Sequence, residues 1–122
     1  MTAPAVLAIA AFNLICTGTL RTGPVGLAMP EGGGEPFAIT YRVDLASRLW
    51  CSDECAQAEP LALVTETEIL LRQDHRASGS HVIIVGRQLG LFADTFIEGA
   101  TATLRSGHCA QAPFTGFPVP SA

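Results

Sequence analysis

A chain of 122 residues is long enough for one domain with a substantial core. With 48% hydrophobic and 15% charged residues, it lies far from the composition of disordered chains. The net charge is -4 and all seven basic residues are arginines without clusters, which argues against a nucleic-acid partner or a polybasic membrane surface.

No apolar run reaches the ~20 residues that a helix needs to span a bilayer. The opening Met1–Ala11 is apolar from Ala5 onward. Its Ala8-Ile9-Ala10 has the small-x-small form of a cleavage site, with no Lys or Arg in front. Residues 1–11 therefore read as a signal remnant or as an extension of the first strand.

From Phe12 the dominant hydrophobic period is two, not 3.6. Phe12–Leu20 reads as a first strand with Phe12, Leu14 and Cys16 on one face. Arg21–Gly34, rich in Gly and Pro, reads as a flexible loop. Phe37–Leu45 is the clearest strand, with Phe37, Ile39, Tyr41, Val43 and Leu45 alternating with smaller or polar residues. After a turn at Ala46-Ser47, Leu49–Cys51 reads as a short return strand.

Leu61–Val64 and Thr67–Leu71 read as two short strands, with a helix over Glu66–Arg72 as the alternative. Gln73–Ser80 is polar and reads as a loop. Val82–Arg87 is strongly β-branched. Turns at Leu89-Gly90 and Glu98-Gly99 separate it from Leu91–Ile97 and Thr101–Cys109. The tail, residues 110–122, carries Pro113, Pro118 and Pro120 and should run extended outside the sheet, pinned by Phe114 and Phe117.

Short strands at even spacing predict an all-β fold. The expected architecture is an antiparallel meander of about seven to eight strands closing into a small barrel or sandwich. Residues 12–109 form its single β domain.

Cys16, Cys51, Cys55 and Cys109 allow three pairings. The preferred set is Cys51–Cys55 across a tight turn and Cys16–Cys109 between first and last strands. Free buried thiols and a zinc site with His108 or His75 are the alternatives; the lone Cys-x3-Cys pair fits structural zinc poorly. Disulfides imply an oxidising compartment, periplasmic or secreted.

The chain resembles a group of small, uncharacterised and usually exported proteobacterial proteins with four cysteines. The resemblance rests on Phe12-x-Leu14-x-Cys16-x-Gly18, Tyr41-x-x-Asp44-Leu45, and Trp50-Cys51 with Cys55. Gly107-x-Cys109 and Pro113-Phe114-x-Gly116-Phe117 complete it. It implies an exported, β-rich protein and no particular activity.

Few residues suggest chemistry. Tyr41, Asp44, Trp50, Asp53 and Glu54 could line one rim of a barrel mouth. There they could bind a ligand, or the carboxylates could act as an acid–base pair. The plainer reading gives Asp44 to a turn and Asp53-Glu54 to a solvated tip. His75 and His81 flank the expected loop with Asp74 and read as solvated side chains sooner than as metal ligands.

Ser106 and His108 share a strand face, while Cys109 points to the other. Phe92 and Phe96 share a face around Asp94 and read as core filling. No catalytic residue, cofactor or metal is implied. The expected function is a non-enzymatic exported module that binds a protein, an envelope component or a small apolar ligand. The alternatives are a small enzyme at the Asp44/Asp53/Glu54 rim or around His108, and a purely structural or assembly protein.

Overall fold

The computed structural model describes residues 10–26, 34–53 and 55–118. The expected leader up to residue 9, the centre of the Gly-rich loop, Glu54 and the last four residues lie outside them.

The period-two alternation folds into one antiparallel sheet. Its strands are β1 (Ala11–Pro24), β2 (Glu35–Asp44), β3 (Leu49–Ser52), β4 (Glu59–Pro60), β5 (Leu63–Val64), β6 (Glu68–Arg76), β7 (Gly79–Gly86), β8 (Leu91–Glu98) and β9 (Thr101–Ala112). The spatial order is β4-β3-β2-β1-β9-β8-β7-β6-β5. First and last strands therefore pair at the centre, and the sheet curls into a half-barrel whose edges are the two-residue strands β4 and β5.

One residue in two points into the half-barrel, and these positions carry the core. They include Phe12, Leu14 and Cys16 on β1, Tyr41 and Val43 on β2, Ile69 and Leu71 on β6, and Phe92 on β8. Burying each large side chain contributes about 1.5–3 kcal/mol relative to leaving it in water. The Phe92 ring is the hub, 5.8 Å from Phe37 and 5.7 Å from Tyr41, while Tyr41 meets Trp50 edge-on at 5.8 Å. A bulge between Leu70 and Arg72 sends Leu71 into the core and sets Arg72 opposite Ile83.

Both expected cysteine pairs lie at disulfide distance. Cys16 and Cys109 face each other across the β1–β9 pairing, and Cys51 joins Cys55 at the tip after β3. Two positions further along, Gly18 and Gly107 are opposite each other. A Cβ on Gly18 would fall 1.9 Å from the Ser106 carbonyl oxygen, and one on Gly107 would fall 1.9 Å from that of Thr17. Only glycine permits this approach of the two backbones. Gly107→Ala is expected to cost about 1–3 kcal/mol, the usual range for overpacking. An unchanged urea midpoint would contradict that close approach.

Three expectations are corrected. Among the described residues the sheet has nine strands, not seven to eight. The polar segment Gln73–Ser80 is no loop: β6 continues to Arg76, β7 starts at Gly79, and Asp74 pairs with His81. Asp74 faces His81 across this pairing, while Gln73, His75 and Arg76 are exposed, so polarity there does not mark a loop. Finally, β1 continues to Pro24 and β9 to Ala112, so the tail leaves the sheet later than expected. It then crosses the outer side of β1 and β2. The Asn13 side-chain amide donates to the Thr115 hydroxyl at 3.0 Å, and Arg42 donates to the Gly116 carbonyl at 3.0 Å. Phe114 and Phe117 meet edge-on at 5.2 Å.

Candidate functional site

On β8, Phe92, Asp94 and Phe96 all point inward. Asp94 faces Arg105 on β9 and Ile83 on β7, with His81 one inward position along β7. The Asp94 side chain is 3% exposed, and each of its oxygens has a partner. His81 Nε2 lies 2.7 Å from Oδ1, and Arg105 Nη1 lies 3.2 Å from Oδ2. A carboxylate this deep is tolerable only when paired, since desolvating an ion costs several kcal/mol.

A second ionic group adjoins it. Arg72 Nη2 donates to both Glu59 oxygens at 2.7 Å, and its Nη1 donates to Asp74 at 3.0 Å. The same guanidinium lies over the Trp50 ring, 5.4 Å from its centroid. Three buried atoms here have no hydrogen-bond partner among the described residues: Tyr41 Oη, Trp50 Nε1 and Arg72 Nε.

Burial pushes the Tyr41 phenol well above its ordinary pKa, and the nearby Asp94 carboxylate pushes it further; Arg105 and Arg72 oppose the shift. The hydroxyl thus lies in the field of the ionic groups. A pKa raised in the folded state gives stability that is present below the unfolded value of about 10 and lost as pH rises beyond it. Tyr41 is the single tyrosine of the chain, so its phenolate absorbance reports on it alone. That band is expected to stay absent in the folded protein above pH ~10 and to rise only with unfolding. A Tyr41→Phe variant should lose this alkaline destabilisation. A phenolate band appearing near pH 10 in the folded protein would refute the burial of this hydroxyl.

Two grooves open beside these groups. One, of about 250 Å³, is lined by His81, Asp94, Phe96, Thr103 and Arg105. The other, of about 210 Å³, lies along Arg72, Asp74 and Arg76 and shares His81 and Phe96 with the first. Phe96 is 40% exposed and packs edge-on against His81 at 5.0 Å. The Arg87–Gly90 turn borders a third pocket, of about 440 Å³, at the opposite end of the half-barrel, with Phe12, Leu14, Ile69 and Val85 as its floor.

The residues expected to form a rim do not share one surface. Tyr41 and Trp50 are in the core, in contact with each other. Asp44 Oδ1 accepts from the Ala46 amide at 3.0 Å and the Ser47 amide at 3.4 Å, so it holds the β2–β3 turn. Asp53 Oδ2 accepts from the Thr40 amide at 3.0 Å, and its carbonyl accepts from Arg42. Both carboxylates are thereby bound to the backbone of their own turn or neighbouring strand. Glu54 lies outside the described residues.

His75 is exposed on β6, opposite Ser80, and His108 is exposed on β9, opposite Leu91. Among the described residues, no cluster of three potential metal ligands occurs.

Sequence reasoning passed over Asp94 and Arg105. The signal was present: a carboxylate stands between two phenylalanines at period two, so it must share their buried face and needs partners there. Nothing local pointed to Arg105, which meets Asp94 only through the β8–β9 register.

Comparison with protein-family models, curated proteins and solved structures gave no match.

Proposed function

We propose that the chain is a non-enzymatic, exported ligand-binding module that holds a small ligand on the inner face of its half-barrel. One observation carries this reading: a half-exposed Phe96 borders a groove whose polar wall, His81–Asp94–Arg105, is already fixed by ion pairing. An aromatic wall with a few oriented polar groups is the usual make-up of a small-molecule site. Export rests on the two cysteine pairs at disulfide distance, which persist in an oxidising compartment.

In this reading the half-barrel closes on itself in solution. The Glu59–Arg72 ion pair joins edge strand β4 to β6. The Leu61 amide donates to the Arg48 carbonyl and the Ala62 amide to the Leu70 carbonyl, both at 2.9 Å.

An enzymatic reading has one observation in its favour, the His81–Asp94 contact of 2.7 Å, which is the orienting half of a general-base pair. Arg105 weighs against it. It takes the other carboxylate oxygen and neutralises the charge that would stabilise an imidazolium. An assembly role would be favoured by long, apolar sheet edges, whereas β4 and β5 have two residues each, one of them Pro60.

The test is a ligand-observed magnetic resonance screen of small neutral, anionic and aromatic compounds against the oxidised protein, repeated with Phe96→Ala. Hits should lose about tenfold in affinity in the variant, roughly 1.4 kcal/mol, while its melting point stays near that of the parent. Hits indifferent to Phe96→Ala, or no hit in any class, would sink the assignment.

A further inference from the structure

Resting on that reading, we infer that the groove along β6, β7 and β8 takes a zwitterionic α-amino acid with an aromatic side chain, its carboxylate on Arg76 and its ammonium on Glu98. Strand register carries the case. Gly79 pairs with Arg76 on one side and with Glu98 on the other, so the three form one row across the sheet. The next row is Asp74, His81 and Phe96. Residues paired across antiparallel strands share a face, and both rows line the groove of about 210 Å³.

The row at Gly79 has opposite charges at its two ends and no side chain between them. A Cβ on Gly79 would fall 1.8 Å from the Ile97 carbonyl oxygen, so the middle position stays bare. Among the described residues, ion pairs take up Arg72, Asp74, Asp94 and Arg105 but neither Arg76 nor Glu98. Neighbouring strands lie about 4.8 Å apart, which sets these two backbones about 10 Å apart across Gly79. The ammonium and carboxylate of an α-amino acid are about 3 Å apart, and a charge-assisted hydrogen bond at each end adds about 2.8 Å. A bridge from guanidinium through ligand to carboxylate thus spans roughly 8–9 Å, which matches the gap.

Charge separates this ligand from simpler ones. Apart from His81, the groove lining sets Arg72 and Arg76 against Asp74 and Glu98, two charges of each sign. Arg72 already holds Asp74 and Glu59. A plain anion on Arg76 would stand against the Glu98 carboxylate, and a plain cation on Glu98 would stand against Arg76. A zwitterion pairs with both. In the next row Phe96 is 40% exposed and offers its ring to the ligand's own aromatic group.

The experiment is a chemical-shift titration of the oxidised, full-length protein with L-phenylalanine. Two truncated probes accompany it: 3-phenylpropionate lacks the ammonium, and phenethylamine lacks the carboxylate. L-Phenylalanine is expected to shift the Gly79 amide and the His81 ring signals, and to bind at least about fivefold more tightly than either truncated probe. Glu98→Gln should abolish its advantage over 3-phenylpropionate, and Arg76→Gln its advantage over phenethylamine. Both side chains are exposed, so the two variants should melt near the parental temperature.

Binding of 3-phenylpropionate or phenethylamine as tightly as L-phenylalanine would overturn the zwitterion assignment while leaving the ligand-binding reading intact. Binding of L-phenylalanine that is indifferent to both variants would do the same. No shift with any of the three probes would also overturn it, and the ligand-binding reading would fall with it only if the wider compound screen gave no hit either.

Discussion

Replacing Cys16 and Cys109 together by alanine is expected to lower the unfolding free energy by about 4–5 kcal/mol in the chain-entropy account. The two cysteines are 93 residues apart in sequence, so their bridge restrains nearly the whole described chain when it unfolds. They also sit opposite each other in the pairing of β1 with β9, the contact that makes the sheet continuous between its two halves. Small domains are stable by only about 5–15 kcal/mol, so this single loss takes a large share.

The Cys51–Cys55 bridge gives the internal control. Its separation is 4 residues, and removing it should cost about 2 kcal/mol by the same account. Urea unfolding of the parent, the two double variants and the reduced parent measures the difference. Equal losses from both pairs would show that the unfolded chain is already held compact without the long-range bridge. A large loss ties the fold to its compartment, because the protein would be well populated only where the Cys16–Cys109 bridge persists.

The architecture was largely legible in the sequence because it depends on local alternation. Phe37, Ile39, Tyr41, Val43 and Leu45 announce β2 and its buried face, and the Gly-containing steps at Leu89-Gly90 and Glu98-Gly99 announce the hairpins. The Cys16–Cys109 pair was legible for the same reason, given strands at both ends of the domain.

The site was not legible. Asp74, His81, Asp94 and Arg105 come from four successive strands, β6 to β9, and only strand register decides that they meet. A polar run such as Gln73–Ser80 reads as a loop because alternation analysis assumes an apolar inner face. Here the inner face turns ionic near the end of β6. The acids Asp44 and Asp53 attracted attention because aromatics stood near them in sequence, but strand alternation put those aromatics inside and bound the acids to local amides.

Asp94→Ala is expected to cost about 2–4 kcal/mol, below the full range for breaking a buried ion pair. The discount follows from the partners: the side chains of Arg105 and His81 are 41% and 27% exposed, so each can turn partly to water once the carboxylate is gone. What remains is the loss of both charge-assisted hydrogen bonds and the void beside Phe92 and Ile83. Asp94→Asn keeps the shape and should cost less, because the amide still accepts from one neighbour.

The decisive variant removes the pair as a unit. Asp94→Leu with Arg105→Leu replaces the ion pair by apolar volume, and such exchanges are often neutral or stabilising. If that double variant unfolds at the parental urea concentration or above, the ionic wall is not required for folding. Loss of ligand binding in the same stable protein would then assign the wall to recognition. Retained binding would move the site elsewhere on the half-barrel, with the 440 Å³ pocket over Phe12, Leu14, Ile69 and Val85 as the next place to probe. A double variant as unstable as Asp94→Ala alone would instead give the cluster a structural role, because the hairpins β6–β7 and β8–β9 would then depend on it for their register.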